Sequence, residues 1–255
     1  APVIEYLIDQ VSNLAAEGMT WLLHDFETIS RCDASNHDHP PGLGEDWAVR
    51  GWYRLLSEIR KRHPQVWIEN CWNGGRPLDL QMVAHHDTTI GDDFCDVRHN
   101  AVAKVGLGQY LPAHWCSSYM SDQNSLPLRS QLAIYAVGGP WILMGDIPSW
   151  TAEKLGLASR VMDTYRQWRP LFAEGSVSWA NISGWDPDER WRADQAVLAI
   201  SFTHPNGSEL MACVINEATE SGEIFWHPQH LGAMEIRDEF SGEKWQLSQE
   251  QAKLG

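Results

Sequence analysis

Residues 19–27, Met-Thr-Trp-Leu-Leu-His-Asp-Phe-Glu, are the segment that most constrains the fold of this chain. Gly18 precedes the short apolar run, and the carboxylates of Asp25 and Glu27 end it. A run of this length between two helices is typical of a strand buried on both faces of a parallel sheet. Acids at the C-terminal end of such a strand lie where α/β barrels and open α/β sheets hold their active sites. Asp25 is therefore the first candidate catalytic residue, although a carboxylate that only caps the next segment fits the pattern equally well.

Strand-like and helix-like segments alternate five times up to about residue 172, which indicates βα units and a parallel sheet. Helical spacing of apolar residues predicts helices over residues 2–17, 47–63, 97–108, 130–137 and 151–169. Short apolar runs predict strands over residues 19–25, 65–71, 88–94, 110–116 and 138–146. Beyond Gly175 the pattern changes to short strands separated by turn residues, at 197–202, 210–215, 222–226 and 234–238. The pair Asn206-Gly207 predicts a hairpin turn there, so the chain divides into a β/α part, 1–175, and a small antiparallel β domain, 176–255.

The composition narrows the classes of partner. A formal charge of −15 argues against nucleic acid and anionic membrane surfaces, which require basic residues. No apolar run approaches the roughly 20 residues of a membrane span, and the first residues do not resemble a signal peptide. Five cysteines without a Cys-x-x-Cys pair favour reduced thiols and a cytoplasmic location. Fourteen tryptophans favour carbohydrate handling, because indole faces stack on sugar rings.

Polar residues follow each predicted strand, as an active site at one rim of a barrel requires. After the first strand, they include Cys71, a dense acidic group, His114 and Asp146; the acidic group is Asp87, Asp92, Asp93 and Asp96. Mutual repulsion within this group is expected to raise the pKa of at least one carboxyl. A protonated carboxyl that faces an ionised one is the arrangement for glycoside hydrolysis, with retention at a separation of about 5–5.5 Å and inversion at wider spacing.

A metal-dependent hydrolase is the competing interpretation of the same region. Ligand types are abundant there, although none has a recognised zinc spacing; they are His85, His86, Asp87, Asp92, Asp93 and His99. The bland interpretation of His85-His86 is a solvated turn. We therefore expect no metal.

The order of motifs resembles the C-terminal half of glycoside hydrolase family 36, the melibiase-type α-galactosidases. A family strand ending Lys-Trp-Asp, with the Asp as nucleophile, matches Leu23-His24-Asp25. A family Cys followed by glycines, Arg and Asp-Leu matches Cys71-Trp-Asn-Gly-Gly-Arg76 with Asp79-Leu80. The family Ser-Asp-x-x-Asp, whose first Asp is the acid/base, matches residues 92–96, Asp-Asp-Phe-Cys-Asp. Residues 165–172 and 240–245 are similar to the helix that closes the family barrel and to its terminal β domain.

The resemblance implies a retaining hydrolase of α-linked glycosides that works by double displacement without a cofactor. Asp25 would be the nucleophile and Asp93 the acid/base. The residues expected to bind substrate are His24, Cys71, Trp72, Gly74, Arg76, Asp96 and His114.

Two departures from the family pattern bear on this expectation. Leu23 stands where the family has a lysine that contacts sugar hydroxyls, which leaves the choice of sugar open. The family barrel has eight strands, whereas this chain begins at the helix before the fourth. The fold expected is therefore half a TIM-type β/α barrel, about five parallel strands, followed by the antiparallel domain. Open sheet edges at 21–25 and 141–144 would favour a homo-oligomer, and a non-catalytic carbohydrate-binding fragment of a larger glycosidase is the alternative function.

Overall fold

The structure is a computed structural model. It describes residues 2–25, 32, 34–36, 39–72, 74–75, 78–91, 93, 95–122, 127–179, 181–182, 198–214, 224–225, 234–238 and 242–247. No helix within these ranges is long and apolar enough to cross a membrane.

Five parallel strands alternate with helices, which confirms the predicted half-barrel fold. The strands are β1 (Trp21–His24), β2 (Trp67–Asn70), β3 (Thr88–Ile90), β4 (Cys116–Met120) and β5 (Trp141–Leu143), in the order β1-β2-β3-β4-β5. The helices are α1 (Pro2–Ala16), α2 (Gly44–Arg62), α3 (Leu80–His85), α4 (Val97–Gly108), α5 (Leu128–Tyr135) and α6 (Ala152–Trp168). The strands then become antiparallel: β6 (Ser176–Trp179), β7 (Asn181–Ile182), β8 (Leu198–Thr203), β9 (Glu209–Val214), β10 (Ile224–Phe225), β11 (Met234–Arg237) and β12 (Lys244–Leu247).

The prediction of a strand over residues 110–116 is wrong. A short 3-10 helix, Ala113–Trp115, occupies that segment, and β4 begins only at Cys116. Two of the β4 side chains are small and polar yet buried, Ser117 at 2% and Ser118 at 0% exposure. The apolar residues that normally mark a buried strand therefore precede β4 in the sequence instead of lying within it.

The chain folds into two compact units, Ala1–Asp93 and Phe94–Gly255. In the first unit, the outward face of β1 and β2 packs against α1 and α2. Its core is the cluster of Ile8, Leu55, Leu56, Ile59, Ile68, Trp72 and Met82. Parallel pairing sets Trp21 opposite Trp67 and His24 opposite Asn70.

The inward face of β1 and β2 is partly exposed, which corrects the expectation of a first strand buried on both faces. Trp21, Leu23 and Trp67 are 37%, 41% and 41% exposed, and the two indoles stack with centroids 5.5 Å apart. Beneath them Glu69 is fully buried, and its Oε2 accepts a hydrogen bond of 2.9 Å from Trp21 Nε1. An apolar run specifies a strand but not how many of its faces are covered.

The second unit has its own larger core around α4, α5, β4 and β8, which includes Val97, Leu132, Phe172 and Phe202. Lys104 on α4 is 1% exposed, and its Nζ donates to Val137 O at 2.5 Å and Tyr135 O at 3.2 Å. These carbonyls lie at the C-terminal end of α5, where main-chain acceptors lack helical partners. Burial lowers the Lys104 pKa to about 8. Burial also raises the pKa of the neighbouring Cys116 thiol to about 11, and the Lys104 charge opposes that shift.

The antiparallel strands agree with four of the predicted segments and add three that were not predicted, β6, β7 and β12. β6 pairs with β8 and β8 with β9, while β11 pairs with β12. The predicted turn at Asn206-Gly207 is confirmed: Gly207 has φ +88° and its N–H donates to His204 O at 2.9 Å. The loop is longer than a two-residue hairpin, because Thr203 pairs with Glu209 across it.

Candidate active site

The first candidate carboxylate, Asp25, follows the last residue of β1 and is exposed. Side chains alternate along a strand, so Asp25 continues the row of Trp21 and Leu23 on the inward face. This is the C-terminal end of a parallel strand, where β/α barrels hold their active sites.

The turn after β2 approaches the other candidate carboxylate. Cys71 N donates to His24 O at 2.9 Å and Gly74 N donates to Cys71 O at 3.1 Å. Gly74 and Gly75 have φ of +71° and +73°, a region that side chains disfavour. A Cβ atom on Gly74 would lie 2.9 Å from Asp93 Oδ2 and 3.2 Å from its Cγ. The missing side chain at residue 74 therefore lets the backbone pack against the Asp93 carboxylate.

Asp93 itself is exposed and lies beyond the end of β3. The two strands that lead to Asp25 and Asp93 flank β2, and both residues belong to the first unit. Cys71 and Trp72 are buried, at 6% exposure each, so they shape the turn from beneath. The predicted Arg76 lies outside the described residues, as do Asn73 and Asp92.

His24, the residue before Asp25, is 7% exposed and joins a buried aromatic group. Its ring centroid lies 4.8 Å from that of Trp52, 5.7 Å from that of Trp72 and 5.3 Å from that of His86. Burial, followed by the neighbouring His86, lowers the His24 pKa to about 4, while Asp25 opposes this. Burial likewise lowers the pKa of His86, which is only 3% exposed, so the bland interpretation of this residue as part of a solvated turn is wrong.

The short helix α3 is positioned by its N-cap, Asp79. The Asp79 carboxylate accepts hydrogen bonds from Gln81 N at 2.8 Å and Met82 N at 3.0 Å, and from Tyr53 OH at 2.9 Å. Burial opposes ionisation of Asp79, but these hydrogen bonds outweigh it and lower the pKa. The Asp-Leu pair of the motif is thus a helix start.

Two of the acidic residues around β3 have local structural partners. Asp87 lies before β3, where its Oδ2 accepts from Ile68 N at 2.8 Å and pairs with Arg60 at 2.9 Å. Asp96 caps α4 in the second unit by accepting from Arg98 N at 2.8 Å and His99 N at 3.2 Å. Asp87 and Asp96 therefore each have a local structural role, one beside β3 and one at the start of α4.

His114 does not lie at the end of a strand, because β4 starts after it. Its place in the 3-10 helix is at the N-terminal end of β4, opposite to the predicted end. The carboxylate that follows β4 is Asp122, whose Oδ2 accepts from Trp150 Nε1 at 2.7 Å and Asp146 N at 3.2 Å. Sequence reasoning missed Asp122 because the strand before it was misplaced.

The described residues contain no group of three or more His, Cys, Asp or Glu side chains that could hold a metal ion. Within this unit, His85 is instead hydrogen-bonded to Gln81 at 3.0 Å.

The five-stranded parallel sheet, with carboxylates after β1 and β3, has the fold of part of a family 36 α-galactosidase barrel. Superposition on the crystal structure of α-galactosidase AgaA from Geobacillus stearothermophilus in complex with raffinose gives a TM-score of 0.71 at 20% identity. That match covers 92% of this chain and 32% of the enzyme. No protein-family model matches the chain.

Two curated relatives are also α-galactosidases. The Escherichia coli α-galactosidase is 24% identical over 149 residues, 55% of this chain and 20% of that protein. α-Galactosidase AgaA of Geobacillus stearothermophilus is 26% identical over 123 residues, 47% of this chain and 17% of that protein. The chain therefore spans about a fifth of the length of the curated relatives it matches.

Proposed function

We propose that the chain hydrolyses α-linked galactosides with retention of configuration, with Asp25 as nucleophile and Asp93 as acid/base. The observation that carries the proposal is the contact between Gly74 and Asp93. Gly74 follows β2, the strand between the two candidates, so the Asp93 carboxylate lies against the turn that ends the intervening strand. The α-galactosidases with this fold supply the substrate class.

Strand spacing makes a retaining separation attainable. Adjacent strands lie about 4.8 Å apart, so β1 and β3 are separated by about 10 Å. Retaining glycosidases hold their carboxyl groups about 5–5.5 Å apart. The side chain of Asp25 on the inward face and that of Asp93 on the intervening turn can each reach part of the way across, which brings the carboxyl groups closer than the strands themselves.

The reaction would proceed in two displacements. A carboxylate oxygen of Asp25 attacks the anomeric carbon while the glycosidic C–O bond breaks, and Asp93 gives its proton to the departing oxygen. Asp93, now ionised, takes a proton from water, whose oxygen attacks the same carbon. The ester bond to Asp25 breaks, which restores both carboxyl groups and releases the sugar with its original configuration. No cofactor takes part.

Among the residues expected to bind substrate, Cys71, Trp72 and Gly74 lie in the turn beside Asp93. His24 is turned into the aromatic group. Leu23, on the inward face, cannot offer the charged contact that a lysine would make to a sugar hydroxyl.

Hydrolysis of a panel of nitrophenyl α- and β-glycosides tests the proposal. Turnover of the α-galactoside should disappear in Asp25→Asn, since an amide is a poor nucleophile. Asp93→Asn should retain more activity on nitrophenyl leaving groups, which need little protonation. Asp46→Asn, which alters an exposed carboxylate that pairs with Arg50 at 2.8 Å, is the matched control and should act as wild type. Inverted product, or equal rates in wild type and Asp25→Asn, would contradict the assignment.

A carbohydrate-binding fragment is the second candidate, because the chain spans only 20% and 17% of its curated relatives. This candidate predicts saturable binding of galactosides by calorimetry with no turnover by wild type, and unchanged binding in Asp25→Asn.

A further inference from the structure

The ring nitrogens of two buried histidines form a directed pair. His86 Nδ1 lies 2.8 Å from Met82 O, and a carbonyl only accepts, so this nitrogen carries a proton. In the neutral ring, His86 Nε2 is then an acceptor, and its partner at 3.1 Å is His24 Nδ1. His24 Nδ1 therefore donates to His86, and His24 Nε2 carries a lone pair. Burial favours the neutral form of both rings.

The pair fixes the residue that precedes the proposed nucleophile. The side chain of His24 is held by His86, which is anchored to α3 through Met82. Its main-chain carbonyl accepts from Cys71 N at 2.9 Å. Both ends of His24 are thus attached to neighbouring elements, which restricts where Asp25 can move.

Contacts of His24 also lead to the other carboxylate. Its ring meets Trp72 edge to face, with centroids 5.7 Å apart. Trp72 belongs to the turn in which Gly74 packs against Asp93. Within the first unit, contacts therefore lead from the residue beside Asp25, through Trp72, to the turn whose Gly74 packs against Asp93.

We infer that His24 is a positioning residue that sets the separation of Asp25 and Asp93 through the His86 pair and Trp72. The inference rests on the proposed roles of the two carboxylates. Retention depends on their separation, and a shift of about 1 Å in a reacting group can cost about 10²-fold in rate. Displacement of the His24 ring would therefore shift Asp25, which follows it in the chain, and the turn that contacts Asp93.

Packing alone does not explain a histidine here. His24 Nε2 is buried and has no hydrogen-bond partner among the described residues. Leaving a buried polar atom without a partner is unfavourable, and a phenylalanine would fill the aromatic group without that penalty. What histidine adds is the directed bond from Nδ1 to His86.

Two substitutions separate positioning from packing. His24→Phe keeps a ring and removes the donor, whereas His24→Asn keeps an N–H group near the position of Nδ1 and removes most of the ring. For the α-galactoside that wild type hydrolyses, His24→Phe should lower kcat at least tenfold with KM within twofold. His24→Asn should recover most of the kcat despite a lower melting temperature. His63→Phe, which replaces a histidine bonded to Ser12 at 2.8 Å, should leave kcat unchanged.

If kcat instead follows melting temperature, with His24→Asn the worse of the two, His24 has only a packing role and the inference is overturned. Nitrogen-15 NMR of the full chain tests it independently of turnover. His24 must be protonated at Nδ1 and unprotonated at Nε2 near neutral pH, and the opposite tautomer would overturn the inference.

Carbon-13 NMR of the Asp93 carboxyl separates the two proposals. Its resonance should shift in His24→Phe and return in His24→Asn, and an unchanged resonance refutes positioning whether or not the chain is active. Correct NMR behaviour with no turnover of any glycoside would leave positioning in place and refute the proposed function of the chain.

Discussion

Gly74 provides the sharpest test of how the proposed acid/base is placed. In Gly74→Ala, the new Cβ would lie 2.9 Å from Asp93 Oδ2, well inside ordinary contact distance. The carboxylate or the turn must move by roughly 0.5–1 Å, and misplacement of about 1 Å can cost about 10²-fold in rate. That factor corresponds to about 3 kcal/mol of transition-state stabilisation. Alanine at φ +71° adds a backbone cost of about 1–2 kcal/mol to the free energy of folding.

Gly18→Ala is the matched control, because Gly18 has φ +103° but a Cβ atom there would have no neighbour within 4 Å among the described residues. Urea unfolding should show similar losses of stability in the two variants, while kcat/KM for a nitrophenyl α-galactoside should fall about 100-fold only in Gly74→Ala. The reasoning is refuted if the two variants have equal kcat/KM, or if a crystal structure of Gly74→Ala shows an unmoved Asp93.

Three further outcomes are expected. Burial lowers the pKa of His24 from an ordinary 6.5 to about 4, so the folded protein keeps this ring neutral where the unfolded chain binds a proton. The free energy of unfolding should therefore fall by about 3 kcal/mol as the pH is lowered from 6.5 to 4. In urea titrations, His24→Phe should show a weaker dependence of stability on pH over that range. Lys104→Met should lower the free energy of unfolding by about 2 kcal/mol at pH 7, because the Tyr135 and Val137 carbonyls lose their hydrogen-bond donor. The pKa of Lys104 is about 8 in the folded protein against 10.5 ordinarily, so wild type gains stability as the pH rises above 8. The stability difference between wild type and Lys104→Met should therefore widen above about pH 8. Sedimentation should show a concentration-dependent homo-oligomer that Leu23→Arg dissociates, and a monodisperse wild-type monomer at micromolar concentration would contradict this.

Local pattern was sufficient for the longer helices and for the class of fold, but not for the six-residue α3. The helix predicted over residues 97–108 matches α4 at both ends, since Asp96 supplies an N-cap that a sequence can reveal. Strands were harder, because their signals are short. β4 was misplaced since its centre consists of buried serines, whose burial depends on neighbours distant in the chain.

The candidate site was only partly predictable for a related reason. Asp25 was found because it follows a short apolar run, which is a local signal. The bond between His24 and His86 joins residues 62 positions apart, so no local pattern announces it. Conversely, Asp87 and Asp93 are close in sequence but lie before and after β3, so they are at opposite ends of that strand.

Cys116 has a consequence for redox chemistry. Its thiol is 3% exposed, and burial raises its pKa to about 11. Thiolate is the form that alkylating agents and oxidants attack, so Cys116 should be inert while the second unit is closed. Cys32 and Cys95 are partly exposed and should react first. Modification of Cys116 would then proceed only through transient opening, and its rate would measure how often that core exposes itself to solvent.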